Sequence, residues 1–338
     1  MILIFKKGAS EQDLQQAIQR IESLGYKPHL SRGVVQTIIG VTGDDRSLNE
    51  SAFNQLPGVE QVIRVLKPYK LASRDFHPED TLVRVGGISI GAGAFTVIAG
   101  PCSVENEEQV QEIAALVGSL GLKLIRGGAF KPRSSPYSFQ GLGKAGLKIL
   151  NAAARRNGLG VVTEILSEYD VDLVAAYTDV FQVGARNMQN FALLKALGQA
   201  EKPVLLKRSM MGTVEELLLS AEYVMKEGNE RVILCERGIR TFETATRNTL
   251  DIAAVPVIKR YSHLPILVDP SHSMGDWHYV PAASCASLAA GADGLLIEIH
   301  PLPSEAKSDG KQTLNFDHFR KLLARLKLIA DSLGVPLQ

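Results

Sequence analysis

Residues 95–128 read FTVIAGPCSVENEEQVQEIAALVGSLGLKLIRGG, and this stretch decides the fold because it begins a pattern that the rest of the chain repeats. It contains two short apolar runs that are typical of buried strands, separated by a segment with helical periodicity. Similar runs follow, and they begin about 20–35 residues apart. In chain order the eight runs are FTVIAG, KLIRGG, GVVTEI, VFQVGA, PVLLKR, RVILCE, PILVDP and GLLIEI. Strands that alternate with helices in this way predict a parallel sheet.

Eight β/α units over about 240 residues predict a closed TIM barrel that spans residues 95–338. An open, doubly wound parallel sheet is the structural alternative. The segment LVRVGGISIG, residues 82–91, precedes the first unit and has the pattern of a hairpin that turns at Gly86 and Gly87. We expect this hairpin to cap the bottom of the barrel.

The N-terminal segment has a different order of elements. A strand, ILIF, is followed by a helix for which Ser10 is the predicted N-cap, and then by strand, strand, helix and strand. This β-α-β-β-α-β order resembles a ferredoxin-like α+β unit, a class that often senses small molecules. We therefore predict a ferredoxin-like domain at 1–68, a linker with the capping hairpin at 69–94, and the barrel at 95–338.

The composition excludes several classes of partner. The 338 residues include 37 Lys+Arg and 36 Asp+Glu, so the net charge of +1 gives no general attraction to nucleic acid or to an anionic membrane. No apolar run approaches the ~20 residues that a membrane-spanning helix needs, and the N-terminus lacks the basic region of a signal peptide. The three cysteines are few and widely spaced, as expected in a reducing compartment. We expect a cytoplasmic protein.

Charged and metal-binding side chains recur where the predicted strands end. The active site of a TIM barrel lies at the C-terminal ends of its strands. One such residue is most simply a solvated strand terminus, but this explanation is weak for eight consecutive strands. In strand order these residues are Cys102, Arg126, Glu164, Arg186, Lys207, Arg208, Glu236, Arg237, Asp269, His272, Glu298 and His300.

Many of these residues are cations, which would repel each other if no ligand were bound at the C-terminal ends of the strands. They therefore imply an anionic ligand, and a guanidinium group can bind phosphate or carboxylate through two parallel hydrogen bonds. The loop after the second strand, KPRSSPY at 131–137, adds two more cations on a proline-stiffened backbone. The predicted anion-binding set is Arg126, Lys131, Arg133, Arg186, Lys207 and Arg237.

A second group of residues is typical of a metal site. Cys102, His272 and Glu298 follow strands one, seven and eight, which barrel closure makes neighbours, and Asp309 lies in the loop after strand eight. A thiolate, an imidazole and two carboxylates fit manganese, iron, cobalt or zinc better than magnesium. For Cys102 or His272 alone, a buried structural cysteine or a core histidine is the favoured alternative. Taken together, the four residues predict a site for a divalent metal ion as the cofactor.

With these residues identified, the chain resembles the 3-deoxy-D-arabino-heptulosonate 7-phosphate (DAHP) synthase family, in its single-barrel form with an N-terminal ferredoxin-like domain. The resemblance covers essentially the whole chain. Its motifs are AGPCSVE (99–105), RGGAFKPRSSPYSFQGLG (126–143), VTE (162–164), QVGARNMQNF (182–191), VLLKR (204–208), LCERGIRTFE (234–243), VDPSHS (268–273), IEIHP (297–301) and SDGKQ (308–312).

The resemblance implies an activity and a role for each matched residue. The family condenses phosphoenolpyruvate with erythrose 4-phosphate and water, releases phosphate, and so begins the shikimate pathway of aromatic amino acid biosynthesis. Glu164 would lie near the reacting carbons, and Lys131 would be a general acid whose pKa neighbouring cations lower. The implied metal ligands are Cys102, His272, Glu298 and Asp309. The implied phosphoenolpyruvate contacts are Arg126, Lys131, Arg186, Lys207, Arg237 and the N–H of Ala185.

The acceptor sugar would bind through the loop after strand two. Arg133 and Ser134 match the family's site for the phosphate of erythrose 4-phosphate, although Ser134 stands where threonine is common. The chain also departs from the family after PSHS, where it reads MGDWHYV and lacks the usual basic residues. We interpret Trp277, the only tryptophan, as a packing residue of that loop.

The resemblance also implies regulation by an end product. The N-terminal domain matches the family's feedback domain, which senses tyrosine or phenylalanine, and His29 and Ser31 would contact the effector. A plain exposed β edge is the alternative interpretation of these two residues. By analogy with the family, we expect a homo-oligomer, and specifically a tetramer.

Two other functions compete with this interpretation. A 3-deoxy-D-manno-octulosonate 8-phosphate synthase would use the same barrel with arabinose 5-phosphate, but its loop typically reads Lys-Ala-Asn-Arg. Here only Pro132 separates Lys131 from Arg133, and the shorter, stiffer loop favours the shorter sugar. A non-catalytic aromatic amino acid sensor is the third possibility. A barrel without activity should have lost some metal-binding or phosphate-binding residues, whereas this chain has complete sets of both.

Overall fold

The computed structural model describes residues 1–33, 36–42, 48, 50–63, 67–91, 93–132 and 135–338. These residues form two compact units. The smaller unit contains residues 1–80 and 261–263, and the larger contains residues 81–260 and 264–338. Among the helices of the described ranges, none is both long enough and apolar enough to cross a membrane.

The smaller unit is an antiparallel four-stranded sheet with two helices. Its strands lie in the order β2-β3-β1-β4, so that β1 is flanked on both sides by antiparallel neighbours. This arrangement confirms the predicted ferredoxin-like unit. Its elements are β1 (Ile2–Phe5), α1 (Glu11–Ser23), β2 (Lys27–Arg32), β3 (Thr37–Thr42), α2 (Ser51–Asn54) and β4 (Val59–Ile63).

Helix α1 begins where the sequence predicts. The Ser10 hydroxyl accepts a hydrogen bond from the Asp13 N–H at 3.2 Å, and the Asp13 carboxylate accepts one from the Ser10 N–H at 2.9 Å. This reciprocal pair satisfies two N–H groups that a helix N-terminus otherwise leaves without partners. The apolar face of the helix then buries Leu14, Ala17 and Ile21 against the sheet.

The larger unit is a closed barrel of eight parallel strands. The last strand, β14, pairs in parallel with the first, β7, which closes the sheet and excludes the open doubly wound alternative. The barrel's strands and helices are β7 (Thr96–Gly100), α3 (Glu107–Ser119), β8 (Leu124–Arg126), α4 (Gly143–Arg156), β9 (Gly160–Ile165), α5 (Val171–Ala175), β10 (Val180–Val183), α6 (Phe191–Gly198), β11 (Val204–Lys207), α7 (Val214–Lys226), β12 (Val232–Glu236), α8 (Ala254–Tyr261), β13 (Ile266–Val268), α9 (Pro270–Met274), α10 (Val280–Ala289), β14 (Gly294–Glu298) and α11 (Phe316–Leu333).

A hairpin closes the bottom of the barrel, as predicted. Its strands are β5 (Val83–Val85) and β6 (Ile88–Ile90), and Gly86 and Gly87 form the turn with φ angles of 56° and 82°. The side chains of Val83, Val85 and Ile90 pack into the same apolar cluster as the barrel interior. The N-terminal ends of the strands are therefore filled, and the C-terminal ends remain available for a site.

Candidate active site

The C-terminal ends of the strands surround a cavity of about 410 Å³. Because the strands are parallel, the residues that follow them all meet at this rim. Nine of the residues that the sequence assigned to a site line the cavity. They are Arg126, Lys131, Glu164, Ala185, Arg186, Lys207, Arg237, His272 and Asp309.

Four of the cavity's cations are buried, which is costly for a charge without a partner. Arg126 pairs with Glu298 at 2.6 Å, and Lys207 pairs with Asp269. Lys131 donates to the carbonyl oxygen of Cys102 at 3.1 Å. The fifth predicted cation, Arg186, lies exposed on the rim. Each buried lysine therefore has an anion or a carbonyl group to hold it.

The two buried arginines keep donors that protein groups do not satisfy well. Within the described part of the chain, Nε of Arg126 is buried and has no hydrogen-bond partner. Among the residues that the structure describes, the guanidinium of Arg237 makes only long contacts of 3.4 Å, to the carbonyl oxygens of Gly238 and His272. Burial lowers the pKa of Arg237, and Asp269 offsets this only in part. Buried donors without partners are rare in proteins, so this pair indicates a site for an anion.

Lys131 and Glu164 face each other across the cavity, with Nζ 3.9 Å from Oε2. A Cβ atom at Gly184 would lie 2.0 Å from Oε1 of Glu164, so glycine at this position makes room for the carboxylate. Burial lowers the pKa of Lys131, and so does Arg126, but the electrostatic effects of Cys102, Glu164 and Glu298 outweigh both, and the pKa is raised overall. The prediction that neighbouring cations lower the pKa of Lys131 is wrong for the overall shift, because Arg126 does lower it but Cys102, Glu164 and Glu298 raise it more.

The four predicted metal ligands converge on one point. One ligand atom from each of Cys102, His272, Glu298 and Asp309 lies within 4.8 Å of the other three. Sγ of Cys102 is 3.2 Å from Oδ2 of Asp309, and Nε2 of His272 is 3.5 Å from Oε1 of Glu298. Asp309 has a left-handed backbone with φ of 53°, which is rare for a non-glycine residue and occurs most often at functional sites.

Surrounding side chains orient these four residues. Nδ1 of His272 contacts Oδ2 of Asp269 at 2.8 Å, which leaves Nε2 directed at the cluster. Gln312 donates to Oε2 of Glu298 at 2.6 Å. Arg247 donates to Oδ1 of Asp309 at 3.1 Å. An imidazole held by a carboxylate is the usual arrangement behind a metal-binding histidine.

The protonation of the cluster also suits a cation. Burial raises the pKa of Asp309, but the charges of His272 and Arg247 outweigh burial, so its pKa lies well below the ordinary value. The pKa of Glu298 is also lowered, because His272 and Arg126 outweigh burial. Burial, with Glu298 adding to it, raises the pKa of the Cys102 thiol to about 12. Two ionised carboxylates beside a thiol and an imidazole fit a divalent transition metal.

Several cavity residues were not identified from the sequence. Gln182 is a buried polar residue inside β10, and a polar residue within a buried strand was a signal that could have revealed it. Arg240, Arg247 and Asn248 come from the irregular segment after β12, where no periodicity marks them. Gln312 does not line the cavity but donates a hydrogen bond to Glu298, and only the folded structure identifies this contact.

Two predicted residues, Arg133 and Ser134, lie outside the described residues. Two others belong to the smaller unit. His29 and Ser31 are in β2 of the smaller unit, where the ring of His29 lies 5.0 Å from that of Phe76.

Trp277 packs in the loop after α9, in agreement with its interpretation as a packing residue. Its ring stacks between the imidazoles of His278 and His318, with centroid distances of 3.8 and 4.1 Å. The backbone N–H of Trp277 donates to the carbonyl oxygen of Lys311 at 2.9 Å, which ties this loop to the segment that carries Asp309. Asp276 accepts from His278, so the departure from the family pattern forms a local polar pair.

Comparison with known proteins relates both units to one enzyme family. The DAHP synthetase I family matches residues 70–332, and the DAHP synthase ferredoxin-like domain matches residues 1–67. A phospho-2-dehydro-3-deoxyheptonate aldolase from Thermotoga maritima is 56% identical over 335 residues, which is 99% of each chain. A 2-dehydro-3-deoxyphosphooctonate aldolase from Syntrophobacter fumaroxidans is more distant, at 30% identity over 73% of this chain and 93% of the relative.

Solved structures agree with this comparison. The crystal structure of the Thermotoga maritima DAHP synthase is 55% identical, covers 100% of this chain and 99% of its own, and superimposes with a TM-score of 0.80. A truncated form of the same enzyme covers 79% of this chain and 98% of its own, with 54% identity and a TM-score of 0.75. The chain belongs to the DAHP synthetase I family.

Proposed function

We propose that the protein condenses phosphoenolpyruvate with erythrose 4-phosphate and water to give DAHP and phosphate, the first step of the shikimate pathway. The observation that carries this proposal is the meeting of two chemistries in one cavity. The arginines and lysines of the cavity offer many hydrogen-bond donors, which suit a substrate that carries both a phosphate and a carboxylate group. The possible metal ligands lie beside them, and they are Cys102, His272, Glu298 and Asp309. Family membership and 56% identity to a named aldolase support the same activity.

Phosphoenolpyruvate carries two anionic groups, and the cavity offers donors for both. In our proposal the unsatisfied donors of Arg126 and Arg237, together with Lys207, Arg186 and the N–H of Ala185, hold its phosphate and carboxylate. Fixing the substrate at several points removes translational and rotational freedom before the reaction, which lowers the barrier.

Cys102, His272, Glu298 and Asp309 would hold a divalent metal ion such as Mn²⁺, Fe²⁺, Co²⁺ or Zn²⁺. When bound, such an ion supplies a Lewis acid that can polarise a carbonyl oxygen. Asp269, Gln312 and Arg247 would keep the side chains of the cluster in their orientation. A carboxylate–histidine pair of this kind raises the basicity of the histidine as a ligand.

Lys131 handles the proton in this proposal. Carbon 3 of phosphoenolpyruvate attacks the aldehyde carbon with the electron pair of its double bond to carbon 2, and the aldehyde oxygen, which becomes an alkoxide, receives a proton from Nζ of Lys131. Water adds at carbon 2, and the bond between carbon 2 and the phosphate oxygen breaks, so that carbon 2 becomes a ketone. Of the two protons that the water gives up, one replaces the proton of Lys131 and the other leaves with the phosphate. Because the pKa of Lys131 is raised, its amine stays protonated and charged until the alkoxide forms. Glu164, 3.9 Å away, holds the ammonium group near the reacting carbons.

The loop after β8 would choose the acceptor sugar. We assign the phosphate of erythrose 4-phosphate to Arg133 and Ser134, by their match to the family motif. Pro132 lines the cavity beside Lys131 and precedes Arg133 in the sequence. A single proline between the two cations limits the length of sugar that can reach both of them.

An assay that follows the loss of phosphoenolpyruvate absorbance tests the activity. We expect turnover with erythrose 4-phosphate, little with arabinose 5-phosphate, and loss of turnover when a chelator is added. Higher turnover with arabinose 5-phosphate would assign the chain to the octulosonate reaction of its more distant relatives. No turnover with any divalent metal would favour a non-catalytic sensor.

The N-terminal unit is proposed to sense an aromatic amino acid. Its match to the DAHP synthase ferredoxin-like domain supports this role, with His29 and Ser31 as effector contacts. We expect tyrosine or phenylalanine to inhibit the full chain, and removal of residues 1–70 to abolish inhibition while turnover continues. The solved truncated relative supports folding of the barrel without this unit. An enzyme indifferent to both amino acids would contradict the proposal.

The protein is also proposed to work in the cytoplasm as a homotetramer. The assembly rests on analogy with the family, and light scattering of the purified full chain tests it directly. The compartment is supported by the three cysteines, which are all free thiols, as is usual where glutathione keeps thiols reduced.

A further inference from the structure

An irregular segment between β12 and α8, residues 237–251, carries much of the cavity wall. We refer to it as the 237–251 loop. It contributes Arg237, Arg240, Arg247 and Asn248 to the cavity. Its two arms meet where Ile239 and Thr249 exchange backbone hydrogen bonds of 2.9 Å in both directions. The loop thus has a closed neck, and the orientation of its arginines depends on what holds that neck to the barrel.

Arg208 holds this neck. It follows β11 directly, and its side chain is only 7% exposed. Nε donates to the carbonyl oxygen of Gly212 at 2.7 Å, in the loop after β11. Nη1 donates to Oε2 of Glu236 at 2.8 Å and to Oδ2 of Asp251 at 2.7 Å. One guanidinium group therefore joins its own loop to the residue before the 237–251 loop and to the last residue of that loop.

Glu236 extends this contact into the loop. It is completely buried, and its second oxygen, Oε1, accepts a hydrogen bond of 2.6 Å from the N–H of Gly238. Gly238 has φ of 88°, and a Cβ atom there would lie 2.8 Å from Cβ of Asn248. Arg237 therefore lies between two residues whose positions are fixed. Arg208 holds Glu236, and Glu236 together with the close packing against Asn248 holds Gly238.

Arg208 is not among the described residues that line the cavity, so it would influence the reaction only through others. A plain structural role is the alternative, but a buried charge network is weak evidence for stability, because apolar residues often replace one without loss. What the network does specify is geometry. The guanidinium is a planar fork with fixed donor directions, and here it meets three acceptors on three chain segments.

We propose that Arg208 is a positioning residue for the condensation, because it fixes the 237–251 loop with Arg237 facing the anion site and Arg247 facing Asp309. The inference rests on the proposed function. Arg247 donates to Asp309 at 3.1 Å and to Gln312 at 2.8 Å, so the loop reaches the carboxylate cluster as well as the anion site. If the 237–251 loop loses its attachment to Arg208, the binding of the anionic substrate and the binding of the metal ion should therefore both become weaker.

The test uses the full chain with Arg208→Gln and Arg208→Lys. We expect kcat/KM to fall about 100-fold in Arg208→Gln, the effect of misplacing groups by about 1 Å. The KM for phosphoenolpyruvate should rise, and Mn²⁺ should bind more weakly when free Mn²⁺ is measured by electron paramagnetic resonance. Arg208→Lys should not rescue either property, because one ammonium group cannot reproduce the fork.

Arg155→Gln is the control. Arg155 also joins a carboxylate and a carbonyl group, with 2.9 Å to Asp179 and 3.3 Å to Leu159, but it lies near the starts of the strands. Because its side chain is 51% exposed, against 7% for Arg208, this variant should change the melting temperature little, and it should leave the KM and the affinity for Mn²⁺ at wild-type values. Asp251→Asn removes one acceptor and is a milder variant if Arg208→Gln does not fold. We expect a fall in kcat/KM of about 10-fold from this loss of one charged hydrogen bond.

Each outcome either supports or contradicts the positioning role of Arg208. If Arg208→Gln or Asp251→Asn melts earlier but keeps the wild-type KM and affinity for Mn²⁺, Arg208 is only structural and the proposal is wrong. Full rescue by Arg208→Lys would also overturn it. Failure of the proposed function is seen separately, as a wild-type chain that makes no DAHP. Calorimetric binding of phosphoenolpyruvate still reports on the loop in that case.

Discussion

Turnover by Cys102→Ala should fall at least about 1000-fold under metal concentrations that saturate the wild type. Loss of a residue that merely orients a metal ligand costs 10–100-fold in affinity or activity, so loss of a ligand should cost more. Sγ of Cys102 lies 3.2 Å from Oδ2 of Asp309, and the thiol supplies the only soft ligand of the four-residue cluster. Affinity for Mn²⁺ and Zn²⁺, measured by competition with a chelator, should fall with the activity.

Two further variants make this experiment specific. Cys235→Ala removes another fully buried thiol, but one that belongs to the apolar core of the barrel, and it should change stability without changing metal affinity. Cys102→Ser replaces the soft sulfur by a hard oxygen, which should shift the preference of the site from Zn²⁺ towards Mg²⁺. Retention of wild-type metal affinity by Cys102→Ala would show that the cluster is not the metal site.

Lys131→Met should lower kcat by about 1000-fold, which is within the range for loss of a general acid. The KM for phosphoenolpyruvate should rise less than kcat falls, because six other arginines and lysines still line the cavity. Lys131→Arg keeps the charge but holds its proton too strongly to release it, so it should restore binding and leave kcat low. Steady-state kinetics of the three proteins, with calorimetric binding of phosphoenolpyruvate, separate the two effects.

Lys148→Met is the control for this series, since Lys148 is an exposed residue of α4 and should leave both constants unchanged. Wild-type kcat in Lys131→Arg would mean that the charge of the residue matters and that its proton does not. The role of general acid would then pass to another group.

The closure of the barrel could be predicted because it depends on a repeated pattern. Eight apolar runs separated by helical segments leave few architectures, and parallel strands bring their C-terminal residues to one rim. This is why Cys102 could be grouped with His272 and Glu298, although Cys102 and Glu298 are almost 200 residues apart in sequence. The same logic identified Arg126, Arg186, Lys207 and Arg237 of the cavity without any knowledge of their contacts, but it missed Arg240 and Arg247.

Pairings within the site could not be predicted. The sequence separated the cations from the carboxylate cluster, whereas the structure joins them through Arg126 and Glu298 at 2.6 Å. The shift in the pKa of Lys131 depends on the balance between burial, Cys102, two carboxylates and Arg126 around it, and the sequence does not show which of these groups lie nearby. Arg208 and Arg247 act through irregular loops, where side-chain direction follows from tertiary contacts and not from periodicity.

The position of Trp277 gives the protein a built-in optical probe. Because it is the only tryptophan, intrinsic indole emission comes from one place in the chain. That place is a stack between two imidazoles, attached by a backbone hydrogen bond to the segment that carries Asp309. Indole fluorescence of the unlabelled, full-length protein therefore reports on the surroundings of the carboxylate cluster, and no indole of the N-terminal unit contributes to it.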